Sequence, residues 1–488
     1  MNALLLSEIA TPIDRLVRPF LKFARLEAAS GIVLFTAMLA ALFWANSPWH
    51  ESYTQVWATP LTLGVAPLRL TEPLLLWIND GLMTLFFFLV GLEIKREMLV
   101  GELASFKRAA LPIMAAVGGM LVPAALYAAF NWRGPGAAGW GVPMATDIAF
   151  SLGVLSVLGR RVPFALKIFL TALAIADDIG AVLVIGLFYT SSISSTALFV
   201  AGGFLAALAV SNRCHVEQPI AYLLLSLGLW AAMLQSGVHA TLAGVLIALC
   251  IPARTRVPRA LPASDAGAAA PPQAAANGVA LAAVPGPESG DDDWHAATTN
   301  GHSESLMLRL ERLLHPWIGF GVMPLFALAN AGVTITGDPW AVLRQPVSVG
   351  ILAGLVVGKP LGILLLSWAA VRARVAALPT GVNWRHVAGV GLLGGIGFTM
   401  SLFIANLAFG QSALLDAAKV AILAASVISG LAGGLFLLTA SRSSRRRSGT
   451  YVSSERLEDT SVRPELHGAV LRTKDQPDAK ALLSPTSR

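Results

Sequence analysis

The sequence predicts an all-α polytopic membrane protein with about twelve transmembrane helices. Only 13% of its 488 residues are charged and the mean hydropathy is +0.68, whereas a soluble chain of this length needs far more charge to cover its surface. Apolar residues also form long blocks, such as 31–44, 220–234 and 351–370. Because lipid cannot satisfy free backbone groups, each span must be helical.

The basic residues predict the orientation of these helices. Lys and Arg cluster in alternate loops, as expected for loops retained on the cytoplasmic side of an inner membrane. Both termini are basic and are therefore predicted to be cytoplasmic. The net charge of +7 thus indicates membrane orientation and not nucleic-acid binding. The basic segments are residues 15–25, 95–108, 160–167, 213, 254–259, 372–385 and 442–447.

Composition divides the chain into five segments. Residues 1–30 are a predicted cytoplasmic segment with a short interfacial helix, because apolar and basic residues alternate there at helical spacing. Residues 31–256 hold about eight of the predicted spans and 305–440 hold about four. Residues 257–304 are rich in Ala, Pro and Gly and predict a disordered cytoplasmic insertion. Residues 441–488 predict a disordered cytoplasmic tail.

The loop from Trp49 to Thr71 and the two cysteines are less informative. β-formers between Gln55 and Leu70 are broken by prolines and a glycine, which fits a small external hairpin and an irregular loop equally well. Cys214 and Cys250 have no CxxC spacing and indicate neither a metal site nor a disulfide framework. We expect no cofactor.

Ionisable residues inside apolar spans are the first candidates for function. A charge at the membrane centre costs at least about 2.5–3.5 kcal/mol on insertion scales, so each such residue needs a reason. Three places qualify: Thr146-Asp147, Asp177-Asp178 and Lys359.

Asp177 and Asp178 predict a cation site. Two adjacent buried carboxylates cannot both stay charged without a cation, because burial and mutual repulsion penalise the second negative charge. A proton and a sodium ion would use the same oxygens in turn, which is the physical basis of exchange. The alternative is a structural pair that is hydrogen-bonded to neighbouring helices.

Lys359 is the candidate counter-charge for this pair. A Lys–Asp ion pair can form when the cation is absent and break when it arrives. The released proton could come from the lysine or from a carboxylate, and a purely structural counter-ion is the alternative. Pro360 follows directly and predicts a kink, because proline lacks the N–H that the Val356 carbonyl would accept in a helix.

Helix breakers predict two interrupted spans. Gly139, Gly141 and Pro143 precede Asp147, and a second glycine-rich stretch runs from Gly391 to Thr399. Interrupted segments in corresponding positions of two halves indicate a midplane binding site in inverted-repeat transporters. Asp147 could neutralise the N-termini of such half-helices and Lys359 the C-termini. Close helix packing is the alternative explanation of the glycines.

Seven stretches carry a family resemblance: LLLWINDGLMTLFFFLVGLEIKRE (74–97), PMATDIAFSLGVLSVLGRRVPFALKIFLTALAIADDIGAVLVIGLFYT (143–190), SGVHATLAGV (236–245), RLERLLHPW (309–317), PLFALANAGV (324–333), GKPLGI (358–363) and GIGFTMSLFIANLAFG (395–410). In these stretches the sequence resembles the NhaA family of sodium/proton antiporters, a family of inverted-repeat transporters.

The resemblance implies a fold, a site and an activity. It implies two discontinuous helices that cross near the membrane centre. Asp177 and Asp178 would bind Na⁺, with Thr146 and Asp147 beside them, and Lys359 would pair with Asp177. It also implies electrogenic exchange of Na⁺, and of Li⁺, for protons, with cytoplasmic sodium exported for pH and sodium homeostasis.

The resemblance further implies regulation and assembly. Glu93, Arg96, Glu97 and Glu311 match the family's cytoplasmic pH-sensing region, and His239 matches a position linked to pH response. A solvated charged face and a hydrogen-bonded structural histidine are the alternative interpretations. Family members form homodimers within membrane lipid, partly through an external hairpin. The insertion at 257–304 departs from the family pattern directly before the predicted pH-sensing residue on the next span.

Other classes of membrane protein fit less well. A sodium-coupled solute symporter would need room for an organic substrate. A channel would not need Lys359 beside its cation site, since alkali selectivity usually uses carbonyl rings. An intramembrane aspartyl protease, and with it an enzyme function, would need carboxylates brought together from separate segments, whereas Asp177 and Asp178 are adjacent.

Overall fold

The structure is a computed structural model, and the part of it that can be described has gaps. The described residues are 27–63, 69–190, 193–214, 216, 218–253, 305–334, 338–410 and 412–458. The predicted interfacial helix near the N-terminus, the predicted insertion at 257–304 and residues 459–488 lie outside these residues.

The described chain is almost entirely helical and divides into residues 1–440 and 441–488. Its α-helices are α1 (Glu27–Ala45), α2 (His50–Ala58), α3 (Leu74–Leu99), α4 (Phe106–Asn131), α5 (Ile148–Leu158), α6 (Phe164–Phe188), α7 (Ser195–Arg213), α8 (Pro219–Leu234), α9 (Thr241–Cys250), α10 (Leu306–Asn330), α11 (Pro339–Leu343), α12 (Pro346–Arg372), α13 (Trp384–Gly394), α14 (Phe398–Phe409) and α15 (Ala413–Glu458). The 3₁₀ segments are Glu102–Ala104, Ala137–Met144 and Gly159–Arg161.

The helices have the length and composition of membrane spans. Among the described residues, eight helical segments are long and apolar enough to cross a bilayer, and ten if two bent helix pairs each count as one span. The apolar helices α8 and α9 are shorter than this criterion requires. The prediction of an all-α polytopic membrane protein is confirmed, while the count of about twelve stays a prediction.

Two spans lose their helical path where the sequence carries breakers. The 3₁₀ segment Ala137–Met144 leads into extended backbone at Ala145, and α5 begins at Ile148 with Asp147 as its N-cap. The pair α13 and α14 bends by 45° at residues 395–397. That these breaks form two discontinuous helices crossing near the membrane centre stays a prediction.

Three long helices contain a π-helical turn, at Trp77–Leu82 in α3, Ile318–Val322 in α10 and Ala353–Gly358 in α12. The turn in α12 stands directly before Lys359 and Pro360. A proline has no N–H to donate, so the preceding carbonyls must find partners at another spacing. The kink predicted from Pro360 stays a prediction, and the structure shows a wider helical turn directly before this residue.

The loop between α2 and α3 contains a β-hairpin, so the hairpin interpretation is confirmed over the irregular loop. Strands β1 (Pro60–Leu63) and β2 (Leu70–Pro73) pair antiparallel, with Pro60 opposite Pro73. The Thr62 and Thr71 hydroxyls, on opposite strands, lie 2.9 Å apart. The hairpin starts later than the sequence indicated, because α2 occupies the chain up to Ala58.

The close approach of α4 and α12 places Lys359 in the core. A Cβ added to Gly118 would lie 2.1 Å from the Gly362 carbonyl oxygen, so neither position accepts a side chain. Ile363 and Leu355 on α12 are fully buried in the same core. Lys359 stands one turn before Gly362 and is 1% exposed.

The second unit begins at residue 441, and the disordered tail expected from the sequence stays a prediction. Helix α15 is described as far as Glu458, so residues 441–458 are helical. The stretch contains no proline, so no residue in it is barred from a helix interior.

Candidate functional site

An ion pair between α6 and α12 lies at the centre of the buried polar residues. The Lys359 ammonium donates a hydrogen bond to Asp177 Oδ2 at 2.5 Å, and both side chains are 1% exposed. Lys359 also donates to the backbone carbonyl of Met144, at the end of the 3₁₀ segment. The Thr146 hydroxyl lies 2.7 Å from the same Asp177 oxygen. One carboxylate oxygen thus receives donors from two separate elements.

Asp178 has the opposite environment. Its side chain is also 1% exposed, yet neither of its oxygens has a hydrogen-bond partner among the described residues. Asp177 Oδ1 is likewise unpartnered. A buried charged carboxylate without donors is strongly unfavourable, so such oxygens need a proton or a cation. The three free oxygens are hard ligands, which are the kind that alkali cations take.

Asp147 joins the two interrupted spans through their helix starts. As N-cap of α5, its Oδ1 accepts from the Phe150 N–H at 2.9 Å. Its Oδ2 accepts from the Thr399 N–H at 3.1 Å and from the Thr399 hydroxyl, near the start of α14. One carboxylate therefore serves two helix N-termini, whose partial positive charges favour an anion.

Backbone carbonyls near each interruption accept hydrogen bonds from residues near the other. The two interrupted segments therefore satisfy each other's backbone hydrogen-bonding groups. The Asp147 N–H donates to the Ile396 carbonyl at 2.7 Å, and the Ser151 hydroxyl donates to the Leu393 carbonyl at 3.1 Å. In the opposite direction, the Ser401 hydroxyl donates to the Val142 carbonyl at 2.7 Å. Irregular backbone at membrane depth is tolerated when protein groups satisfy it in this way.

The predicted regulatory residues on α3 and α10 come together at one end of those helices. Arg96 forms an ion pair with Glu311 and lies 3.6 Å from Glu97. Glu93 lies 3.7 Å from His315 Nδ1, a residue that sequence reasoning missed although it stands one helical turn after Glu311. Glu311 Oε2 has no partner among the described residues. The Arg96–Glu311 ion pair thus links the two spans, while the His315 side chain on the same helix is exposed.

His239 lies apart from this cluster, between α8 and α9. Its ring hydrogen-bonds to the backbone of Tyr189, at the end of α6. Burial lowers the pKa of His239 below its ordinary value of 6.5. The structure thus places one predicted pH-linked residue beside the end of the carboxylate helix and the others elsewhere.

Sequence reasoning missed two kinds of group in the site. Thr399 was quoted within the glycine-rich stretch but was not assigned a role, although a polar side chain directly after a helix break was the available signal. The Met144 carbonyl accepts a hydrogen bond from Lys359, and the Gly394 carbonyl accepts one from Thr146. Backbone carbonyls occur at every residue, so the sequence does not distinguish these two.

The chain matches a protein family and is similar to many known proteins over most of its length. Residues 21–437 match the family model described as Na⁺/H⁺ antiporter 1. The "Na(+)/H(+) antiporter NhaA" of Koribacter versatilis is 49% identical over 433 residues, which is 88% of this chain and 93% of that protein. The protein of the same name from Oleidesulfovibrio alaskensis is 48% identical over 429 residues, covering 87% and 95%. That of Citrobacter koseri is 44% identical over 425 residues, covering 86% and 97%.

Proposed function

The chain belongs to the Na⁺/H⁺ antiporter 1 family, and from that premise we propose that it exchanges Na⁺ for H⁺ at Asp177 and Asp178. The protein is a multi-pass membrane transporter and not an enzyme, and Na⁺ and H⁺ are its substrates. The proposal concerns which side chains carry the exchange and how they do so.

The observation that carries the proposal is the unpartnered carboxylate of Asp178 beside the Lys359–Asp177 ion pair. In the absence of sodium, a proton on Asp178 removes the cost of its buried charge. Lys359 meanwhile neutralises Asp177. The site then holds two dissociable protons, one on the carboxyl group and one on the ammonium group.

Sodium would enter by competing for the same oxygens. Asp178 supplies two free oxygens and Asp177 one, and the Thr146 hydroxyl lies beside them. A bound Na⁺ stabilises the negative charge on Asp178. It also weakens the attraction between Asp177 and Lys359, because Na⁺ and the ammonium group compete for the same carboxylate. Asp147 remains engaged with the two helix N-termini and keeps the interruptions together.

Release of both protons for one Na⁺ would make the exchange electrogenic. The inward and outward states each present the same oxygens to one side of the membrane, so sodium leaves where protons are abundant. We propose export of cytoplasmic Na⁺, and of Li⁺, for external protons across the inner membrane, for pH and sodium homeostasis. Both termini would be cytoplasmic, as the basic loops indicate.

Regulation and assembly form a second part of the proposal. Glu93, Arg96, Glu97 and Glu311 would form the pH-sensing region, in which Arg96 pairs with Glu97 on its own helix and with Glu311 on α10. His239 would act separately, through the end of α6. A homodimer formed through the β1–β2 hairpin within membrane lipid completes the proposal.

Everted membrane vesicles from cells without their own antiporters provide the test. A respiratory pH gradient is established, and its collapse is followed after addition of NaCl, LiCl or KCl at several pH values. We expect collapse with Na⁺ and Li⁺ and none with K⁺. The variants Asp177→Asn, Asp178→Asn and Lys359→Ala are compared at equal protein level.

A matched control removes a carboxylate elsewhere on the protein. Asp416 is exposed on α15, so Asp416→Asn should leave the sodium response unchanged. Loss of the response in both Asp177→Asn and Asp178→Asn supports the proposed site. No cation-dependent collapse by the unmodified protein at any pH would reject antiport and favour a sodium-coupled symporter.

A further inference from the structure

The 3₁₀ segment Ala137–Met144 delivers backbone groups to the ion site. Its last carbonyl, that of Met144, accepts from Lys359, and Thr146 follows two residues later, beside Asp177. A 3₁₀ helix longer than three or four residues is uncommon, because its hydrogen-bond geometry is poor. This segment has eight residues, so it needs support from outside itself.

The phenol of Tyr189 provides such support at the middle of the segment. Tyr189 Oη accepts from the Gly141 N–H at 3.3 Å and donates to the Ala138 carbonyl at 2.8 Å. These two backbone groups stand three residues apart, which is the donor–acceptor pair that a 3₁₀ helix joins directly. One hydroxyl therefore bridges a turn of the segment from the side.

The surrounding contacts leave the phenol little freedom. A Cβ added to Gly141 would lie 2.7 Å from Tyr189 Oη, so the glycine makes room for the ring. The neighbouring Trp140 packs edge-on against Phe188, with ring centroids 5.0 Å apart. Burial raises the pKa of Tyr189 to about 12, so the hydroxyl stays protonated and can donate and accept at once.

We propose that Tyr189 is a positioning residue of the antiporter, whose hydroxyl fixes the Ala137–Met144 segment and thereby sets the affinity of the ion site for Na⁺. The inference rests on the proposed function and adds a residue to it. Tyr189 ends the carboxylate helix α6, and its hydroxyl holds the segment that ends at Met144. Tyr189 thus connects α6 to the Ala137–Met144 segment at a point about 16 Å along α6 from Asp178.

Loss of the Tyr189 hydroxyl should lower the affinity for Na⁺ more than it lowers the maximal transport rate. Without it, the Gly141 N–H and the Ala138 carbonyl lose a partner, and the segment can change its pitch. The Met144 carbonyl and the Thr146 hydroxyl then no longer have one fixed position relative to Lys359 and Asp177. The groups that exchange protons remain in place, so the maximal rate is preserved.

The test compares two variants that each remove one phenolic hydroxyl. In Tyr189→Phe, we expect the apparent K for Na⁺ in everted vesicles to rise about two- to tenfold, the range that the loss of one hydrogen bond supports, with the maximal collapse within about twofold. The control is Tyr222→Phe on α8, because Tyr222 is buried and its hydroxyl has no partner among the described residues. The apparent K of the control should be unchanged.

Backbone hydrogen–deuterium exchange of the purified protein gives a readout that does not depend on transport. Peptides covering 137–144 should exchange faster in Tyr189→Phe than in the unmodified protein and in Tyr222→Phe, while peptides from α4 should not change. If the unmodified protein shows no sodium response, the proposed function fails, and this measurement still decides whether Tyr189 holds the segment.

A double-mutant cycle with Gly141→Ala tests the contact itself. The added Cβ meets the Tyr189 hydroxyl, so Gly141→Ala should raise the apparent K in the unmodified background and do so less in Tyr189→Phe. An unchanged K in Tyr189→Phe would overturn the inference. So would equal effects of Tyr189→Phe and Tyr222→Phe, or a fall in maximal rate and protein amount at constant K.

Discussion

Asp177 and Asp178 are neighbours on α6, yet their surroundings are opposite. Successive helical residues point about 100° apart, so only one of the two faces α12 and the interrupted span. Asp177 receives Lys359 and Thr146, whereas Asp178 receives no donor among the described residues. The asymmetry separates the two tasks that the proposed exchange requires: one carboxylate keeps a counter-charge in the protein, and the other remains open to protons and cations.

The Lys359–Asp177 pair should contribute to stability as well as to exchange. Removing one partner of a buried pair leaves an uncompensated charge and typically costs about 3–5 kcal/mol. We therefore expect Lys359→Ala to lower the midpoint of thermal unfolding in detergent without sodium. Removing both charges with Asp177→Asn/Lys359→Ala should restore part of the loss, because no buried charge is then left unpaired.

The same measurement with added NaCl distinguishes the pair from simple packing. Sodium should raise the midpoint of Lys359→Ala more than that of the double variant, since only the former keeps Asp177 charged. Thr399→Ala, which removes a hydroxyl from Asp147 and not from this pair, is the comparison. A double variant as unstable as the sum of the single variants would show that the two side chains do not interact energetically.

The sequence located the charged members of the site and missed its neutral ones. Asp147, Asp177, Asp178 and Lys359 are detectable because an ionisable residue within an apolar span is rare and costly. Thr399 could have been found from its place directly after a helix break, whereas Tyr189, a common residue type near a span end, is revealed only by its contacts. The Met144 and Gly394 carbonyls are present in any sequence, and only the path of the backbone brings them into the site.

At the scale of elements, the sequence indicates where the helical path can break but not the form that the backbone takes there. Glycines and prolines mark where a helix cannot continue, which placed the breaks near Asp147 and Gly395. The 3₁₀ form of Ala137–Met144 and the π turn before Lys359 depend on which neighbours satisfy the displaced backbone groups. Those neighbours, such as Tyr189 and the paired break, come from distant parts of the chain.

The crossing of α4 and α12 should tolerate no added methyl group. In Gly118→Ala, the new Cβ would meet the Gly362 backbone carbonyl at 2.1 Å, so the helices must move apart. Lys359 stands one turn from that crossing, and its distance to Asp177 would change. We expect a loss of most of the sodium response and a lower unfolding midpoint.

A helical glycine in open space provides the control for this substitution. A Cβ added to Gly202 on α7 would meet nothing within 4 Å, so Gly202→Ala should keep the sodium response. Alanine in a helix is favoured over glycine by about 1 kcal/mol, so the control should be equally or slightly more stable. Equal behaviour of the two variants in the vesicle assay would show that the α4–α12 distance does not govern the site.

At the scale of the whole molecule, hydropathy predicted the membrane class, but the number of spans depends on where each helix ends. Apolar blocks mark spans because the bilayer sets their minimum length. The helices α8 and α9 are apolar but have only 16 and 10 residues, so eight to ten spans meet the length criterion among the described residues, and the count of about twelve stays a prediction. Helix ends depend on local capping and loop contacts, which an apolar block does not reveal.

The orientation of the molecule follows from its charges and can be tested with a native thiol. Cys214 is exposed directly after Arg213, in a segment predicted to be cytoplasmic, whereas Gly134 is exposed in a loop whose only basic residue is Arg133. An impermeant maleimide should therefore label Cys250→Ala protein at Cys214 in everted vesicles and not in right-side-out vesicles. Gly134→Cys, placed in a chain with both native cysteines changed to Ala, should show the reverse.

Both reporters are needed because three candidate spans, Ala137–Leu158, α6 and α7, lie between Gly134 and Cys214 among the described residues. If Cys214 and Gly134→Cys were labelled from the same side, an odd number of membrane crossings could not separate them, and the basic loops would not have set the orientation. If instead Cys214 were labelled only in right-side-out vesicles and Gly134→Cys only in everted vesicles, the cluster of Glu93, Arg96 and Glu311 would lie outside the cell. That cluster could then not respond to cytoplasmic pH, although the exchange chemistry at Asp177 and Asp178 would be unaffected.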